Sequence, residues 1–343
     1  MDNIETINVW DNIRSLKLPV YIYGMGDGAD KVLEIMAIKG IEPAGVFASD
    51  EFVRGQMFHG FKVMKLSEVE AEVGEFVVVL AFGTNRPEVI AHIKKIAKKH
   101  PLFAPDMAVT GFDPNRLFSY REELNRVYSL FEDDYSKALF TDIVNFKISG
   151  KIDYLSRTTD FVEILPDLSE KEVFADCGAY TGDTIGIFCE KVNNKYKHIY
   201  GFEPSAKTFA KLQKNTANLE NITLYNAAVW SENTEIVSGN FDSRNNSLIN
   251  VKNGKNLVKA VRLDDIAPDA TIVKLDVEGA EAEALSGMEK LLKRGVKLIC
   301  AVYHKNDDLW EIPLLIKKIN PDYRFKLRRI PCLPAWDIFL CAY

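Results

Sequence analysis

The chain has no apolar run long enough to cross a bilayer. Its longest, Phe76-Val77-Val78-Val79-Leu80-Ala81-Phe82, falls far short of the roughly 20 residues a membrane helix needs and suits a buried strand. The first residues are mixed and acidic, with no basic stretch leading into an apolar one, so a secretory leader is not expected. Cysteine is scarce: Cys177, Cys189, Cys300, Cys332 and Cys341 are scattered, odd in number and without CxxC spacing. That speaks against a disulfide framework; apolar neighbours such as Leu298-Ile299 beside Cys300 point to buried reduced thiols and a cytoplasmic protein. No basic stripe of the kind that binds a phosphate backbone is present. Pairs such as Lys94-Lys95 and Lys98-Lys99 read as the solvated face of a helix. Neither nucleic acid nor a membrane is therefore an expected partner.

What the chain does have is the balance of a globular protein, 47% hydrophobic and 27% charged residues over 343 positions, a length that predicts two domains. Residues 1–110 alternate apolar strands (Val20-Tyr21-Ile22-Tyr23, Ala44–Ala48, Phe76–Phe82) with helical patterns at Ala29–Lys39 and Glu88–Lys99. Strands separated by helices imply parallel βαβ units, so a small Rossmann-like α/β domain is expected there. Residues 111–170 carry apolar positions at helical spacing from Glu122 to Phe146. They read as a helical connector, packing between domains or forming a homodimer surface. From 171 to 343 strands return at Val173–Cys177, His198–Phe202, Ile222–Tyr225, Thr271–Val277 and Lys297–Val302. A final pair follows at Arg324–Arg328 and Asp337–Ala342.

The chemistry-bearing residues sit at the ends of those later strands. After Val173–Cys177 comes Asp176-Cys177-Gly178-Ala179-Tyr180-Thr181-Gly182-Asp183, where Gly178 and Gly182 allow a tight turn and close ligand approach. The next helix aims its free N–H groups back at that ligand. Asp176 and Asp183 can accept from a cationic amine, and would repel a pyrophosphate. Strand His198–Phe202 ends at Glu203-Pro204, 21 residues after Gly182, where a carboxylate can accept both hydroxyls of a ribose. Asn226-Ala227-Ala228-Val229 follows the third strand, and small side chains such as Ala228 would leave room for an adenine ring. The fourth strand ends Lys274-Leu275-Asp276-Val277-Glu278-Gly279-Ala280-Glu281, crowding carboxylates at the edge where open α/β sheets bind ligands. Glu281 and Glu283 also suit a helix N-terminus through the macrodipole.

The succession DCGAYTGD, GFEP, NAAV, RLDD and KLDVEGAE resembles the FkbM family of S-adenosylmethionine-dependent methyltransferases, over about 171–343. The stretch from Val302-Tyr303-His304-Lys305 to Glu311-Ile312-Pro313 is similar to a bacterial branch with an N-terminal Rossmann-like domain. Trp230-Ser231-Glu232 departs from the family's usual small or acidic turn. The resemblance implies a class I methyltransferase sheet of seven strands, the last antiparallel. It also implies S-adenosyl-L-methionine as cofactor, O-methylation of a sugar or polyketide hydroxyl, and cofactor roles for Asp176, Gly178, Gly182, Glu203 and Asp276. An alcohol acceptor needs a base. His304 is the first candidate because histidine titrates near neutrality, with Glu278 and Asp276 as rivals. A divalent cation held by Asp276, Glu278 and His304 is a further route, but no ligand spacing demands a metal and none is expected. The acceptor is a small molecule or glycan, for instance a nucleotide sugar in polysaccharide biosynthesis.

Gly24-Met25-Gly26-Asp27-Gly28, with Asp50 22 residues on, is an incomplete dinucleotide pattern. It keeps two other readings open: an NAD(P)-dependent oxidoreductase centred on the N-terminal domain, and a non-catalytic binding protein that retains the fold.

Overall fold

The computed structural model describes residues 1, 3–106, 113–238 and 256–343. They form two compact units. The first comprises Met1–Asn125, Ala138–Thr158 and Pro331–Asp337; the second comprises Arg126–Lys137, Thr159–Ile330 and Ile338–Tyr343. The boundary expected at 110–111 lies outside the described residues, and the segment expected to be a connector is shared between the units. Among the described residues no helix is long and apolar enough to cross a membrane. All five cysteines are free and buried.

In the first unit the strands are β1 (Val20–Tyr23), β2 (Gly45–Ala48), β3 (Met57–Phe58), β4 (Phe61–Lys65), β5 (Val77–Leu80) and β6 (Leu102–Phe103), in the order β3-β4-β2-β1-β5-β6. All neighbours are parallel except the β3–β4 hairpin. Every residue of β1, β2 and β5 is buried, as befits central strands of a parallel sheet covered on both faces. Helices Asp27–Ile38 and Pro87–Ala97 contribute Val32, Met36, Ile93 and Ile96 to the interior. Strand order reverses between β1 and β5, the Rossmann-like arrangement.

The second unit adds β7 (Val173–Cys177), β8 (His198–Phe202), β9 (Ile222–Tyr225), β10 (Ala228–Val229), β11 (Thr234–Ser238), β12 (Asn256–Val261), β13 (Ile272–Leu275), β14 (Lys297–Ala301), β15 (Phe325–Arg329) and β16 (Ile338–Ala342). Seven of these form one sheet in the order β15-β16-β14-β13-β7-β8-β9, and β10-β12-β11 form a small side sheet. Only β16 runs against its neighbours in the large sheet. Phe174, Ile185, Phe188, Ile199, Leu212, Ile272 and Ile299 fill its core, with the Phe174 and Phe188 rings stacked at 4.6 Å. Each such side chain contributes about 1.5–3 kcal/mol by leaving water.

The single helical run expected at Glu122–Phe146 is two helices, Arg121–Leu130 and Asp134–Ser149. The Asp133 carboxylate accepts the Ser136 N–H at 2.6 Å, a capping bond that starts the second helix. Between them Phe131 bridges to Phe325 of β15.

Candidate active site

The large sheet reverses its strand order between β7 and β13, and the carboxyl ends of these strands form the crevice where such sheets take ligands. Gly178 makes the close approach possible. Its φ is +82°, and a Cβ there would lie 1.9 Å from the Asp276 carbonyl oxygen. The Gly178 and Ala179 N–H groups donate to the Phe202 carbonyl at 3.0 and 2.9 Å, tying the loop to β8. Gly182, at φ +89°, caps the helix Asp183–Lys191. Glu203 is buried and accepts the Tyr180 N–H at 3.1 Å on one oxygen and the Ser205 N–H at 2.8 Å on the other. The Asn226 side chain donates to the Glu203 and Pro204 carbonyls at 2.9 and 3.0 Å. Three strand tips are thereby stitched into one edge.

A buried cation lies beneath them. Lys274 of β13 donates to Asp176 Oδ1 at 3.2 Å and to the Gly178 carbonyl at 3.1 Å, and stands 3.7 Å from Asp276 Oδ2. Asp176 is fully buried, and its Oδ2 has no hydrogen-bond partner. Burial pushes the Asp176 carboxyl up to about 6 even against the pull of Lys274. Burial likewise carries Glu203 to about 7 despite the two N–H groups it accepts. For Lys274 burial works the other way, but Asp176 and Asp276 outweigh it and keep the ammonium charged.

The adjacent tip, after β14, brings in His304. Its Nδ1 lies 2.8 Å from Glu281 Oε1, which also accepts the Val277 N–H at 3.0 Å. Its Nε2 lies 3.5 Å from Asp276 Oδ1 and 3.7 Å from Glu278 Oε2. The Tyr303 hydroxyl donates to Asp276 Oδ1 at 3.3 Å. Burial alone would strip the proton from His304, but Glu281, Glu278 and Asp276 overcome it and raise the imidazole to about 10. Burial alone would raise Glu281, but His304 outweighs it and moves the carboxyl down from the ordinary range. Glu278, half-exposed on a turn residue with φ +55°, is raised to about 7 by desolvation and by Asp276, which together outweigh His304. This carboxylate can exchange a proton near neutrality; His304 is an imidazolium there.

Asp176, Gly178, Glu203, Asp276, Glu278 and His304 thus gather at one edge. Ala179 is buried beside them and Tyr180 is 60% exposed. Pro204 contributes its carbonyl. Asp183 opens its helix exposed to solvent and adds negative potential at Asp176. Ala228 is buried in the side sheet opposite Ala260, rather than joining the charged cluster. Two members escaped the sequence reading of roles. Lys274 had a signal, a lone cation within the four buried residues Ile272–Leu275. Glu281 looked like a favourable helix start, and its bond to His304 had no local sign.

An open seven-stranded sheet of this order, its ligand edge lined by acidic strand tips, is the fold of class I methyltransferases. Residues 176–327 match the family described as Methyltransferase FkbM domain. The chain is also similar to the solved structure of methyltransferase FkbM from Methylobacillus flagellatus KT, at 18% identity and a TM-score of 0.76, over 97% of this chain and 92% of that one. At that identity the likeness is one of fold. Fibrillarin from Aeropyrum pernix, solved with natively bound S-adenosyl-L-methionine, is far more remote. It shows 11% identity and a TM-score of 0.32, over 53% of this chain and 71% of that one. No curated protein matches the sequence.

Proposed function

We propose that the C-terminal unit is an S-adenosylmethionine-dependent O-methyltransferase acting on a hydroxyl of a sugar, nucleotide sugar or other small metabolite. The observation that carries this reading is the buried, unpartnered Asp176 Oδ2 at the β7–β13 crevice, an acceptor suited to the cofactor's ammonium group. The remaining lone pairs of Glu203 would accept ribose hydroxyls, and the backbone opened by Gly178 and Gly182 leaves room for the cofactor's amino-acid end. S-adenosylmethionine supplies an electrophilic methyl on a sulfonium. Holding an acceptor oxygen in line with that methyl is the protein's main contribution.

The acceptor's proton needs a base with a pKa near the working pH. Glu278 meets that condition at about 7, whereas His304 already carries its proton. His304 therefore serves as a fixed positive charge that orients Asp276 and Glu278, and Glu278 takes the proton. Turnover should climb as pH rises through about 7. Glu278→Gln should lower kcat by about 10²–10⁴-fold with cofactor affinity retained. Full activity in that variant would remove Glu278 from the mechanism.

The N-terminal glycines do not favour the oxidoreductase reading. A Cβ on Gly28 would lie 2.2 Å from the Ala81 carbonyl oxygen, and one on Gly83 would lie 1.9 Å from the Trp336 ring. Both glycines serve packing within the first unit. Calorimetric titration with S-adenosylmethionine, its demethylated product and NADH decides among the readings: tighter NADH binding overturns the proposal, and no binding leaves a non-catalytic protein. Radiolabelled methyl transfer to a panel of hydroxylated acceptors then identifies the substrate class. The five buried free thiols fit a cytoplasmic setting.

A further inference from the structure

The imidazole of His304 has one nitrogen engaged and the other unanswered. Its Nδ1 lies 2.8 Å from Glu281 Oε1, an oxygen that also accepts the Val277 N–H at 3.0 Å. With the ring charged, both nitrogens carry protons, so Nδ1–H donates to Glu281 and Nε2–H is a second donor. That second donor is buried and has no hydrogen-bond partner. Asp276 Oδ1 and Glu278 Oε2 stand 3.5 and 3.7 Å from it, beyond the reach of an N–H···O bond, about 2.7–3.2 Å. Native proteins rarely leave such a donor unmet without a ligand or a catalytic reason.

The surroundings indicate what would meet it. Nε2–H is a cationic donor beside two carboxylates, each able to accept an O–H. Asp276 is anchored, because the Tyr303 hydroxyl donates to its Oδ1 at 3.3 Å and Lys274 stands 3.7 Å from its Oδ2. Glu278 is half-exposed, on a turn residue with φ +55°, and is the neighbour that yields to admit a ligand oxygen. A single hydroxyl has one proton to offer two carboxylates; two adjacent hydroxyls supply one for each. A hydrogen bond from the imidazolium to the attacking lone pair would have to be given up in the transition state, which raises the barrier. On the neighbouring oxygen the same bond positions the acceptor and leaves the nucleophile free.

We infer that the acceptor carries hydroxyls on two adjacent carbons, and that His304 selects it by donating from Nε2 to the oxygen that is not methylated. That hydroxyl donates in turn to Asp276, and the reacting hydroxyl donates to Glu278. In the reaction the bond between sulfur and the methyl carbon breaks and its electron pair stays on sulfur. A lone pair of the reacting oxygen forms the new bond to carbon, and the proton of that oxygen passes to Glu278. His304 keeps both of its protons throughout. The inference rests on the proposed methyl transfer and adds the feature that separates a vicinal diol from an isolated alcohol.

The full chain is supplied with radiolabelled S-adenosylmethionine and a set of methyl glycosides, each paired with deoxy counterparts lacking one hydroxyl. Cyclohexanol and its vicinal diol serve as minimal probes, and cofactor binding is followed by calorimetry in parallel. Loss of the hydroxyl beside the methylated one is expected to lower kcat/KM by about 10–100-fold, whereas loss of a remote hydroxyl should change it little. In His304→Leu the preference should vanish, the diol falling to the rate of its deoxy counterpart while S-adenosylmethionine affinity is retained. If that variant no longer binds the cofactor, His304→Leu combined with Glu281→Gln, which removes the stranded carboxylate, gives the same comparison. Deoxy and isolated-alcohol acceptors that react as fast as the diols overturn the inference and leave the methyltransferase reading standing. A diol preference that survives the loss of His304 overturns the role of this residue. A chain that binds S-adenosylmethionine but methylates no diol of the set overturns the inference as well. Absence of S-adenosylmethionine binding overturns the methyltransferase reading itself, and the inference falls with it.

Discussion

Two strand-to-helix turns in this chain look alike and differ in consequence. Gly28, after β1, and Gly178, after β7, each pass beside a carbonyl oxygen of a neighbouring strand, so closely that a Cβ would come within 2.2 and 1.9 Å of it. The packing device is the same. What distinguishes the second turn is its surroundings: Lys274, Asp176, Glu203, Asp276, Glu281 and His304 are all withdrawn from water or nearly so, and several of their polar atoms remain unmet. A glycine turn therefore marks close packing of helix on sheet, and buried charge beside it marks a site.

That contrast can be broken by substitution. The largest effect is expected from Lys274→Ala, which strands the Asp176 carboxylate without its cation. A loss of about 3–5 kcal/mol in urea unfolding is expected, and a near-neutral result would show that Asp176 is protonated and self-sufficient. Gly178→Ala and Gly28→Ala come next, each costing about 1–3 kcal/mol or somewhat more through overpacking. Only the first should abolish S-adenosylmethionine binding by calorimetry. Equal effects of both on the cofactor would erase the distinction.

Alkalinity should then separate the two regions. His304 holds its proton up to about 10, above its ordinary 6.5, so its contribution is complete below pH 6.5 and fades as pH rises through 10. In the first unit, burial works to raise Glu70 and Glu5, but Lys99 and His100 outweigh it at Glu70, and Lys151 and Tyr154 at Glu5, so both carboxyls are lowered. Their contributions are present above the ordinary carboxylate range and fade as pH falls below it. Hydrogen exchange resolved by residue should show the second unit loosening first in alkali, whereas acid should loosen both units, since Glu172 and Glu281 of the second are lowered as well. His304→Gln should flatten the alkaline limb. The smallest effect belongs to Gly26→Ala, where no atom lies within 4 Å of the added carbon. A change within about 0.5 kcal/mol and intact cofactor affinity are expected; a large loss of binding would reopen a ligand role for the N-terminal loop.

The sheet was legible where the chain spells it locally. Strands β7, β8 and β9 lie on the residues that apolar runs and their Gly, Pro and Asn boundaries indicate. Strand β4, Phe61-Lys62-Val63-Met64-Lys65, was not legible, because its lysines and partial exposure imitate a loop. The side sheet of β10, β11 and β12 was also missed, since β10 is only two residues long and β11 and β12 mix apolar with charged and polar positions. The acidic tips of the site could be read from motif spacing, but the meeting of Glu281 with His304 could not. It follows from the β13–β14 register, Leu275 opposite Cys300, which brings two turns 23 residues apart to one edge.

The way the chain is divided has a practical corollary for modularity. Residues Pro331–Asp337 interrupt the β15–β16 hairpin yet belong to the first unit, where Leu333 pairs with Thr84. Conversely, Arg126–Lys137 belong to the second unit, where the Ser136 hydroxyl receives the Leu327 N–H at 2.9 Å and Asp133 meets Arg328 at 3.3 Å. No single cut yields two whole parts. A fragment beginning at residue 171 would lack a staple on its edge strand, and one ending at 170 would lack the segment that pairs with Thr84. Recombination could exchange such units only as an interleaved pair, so the two are expected to be inherited together.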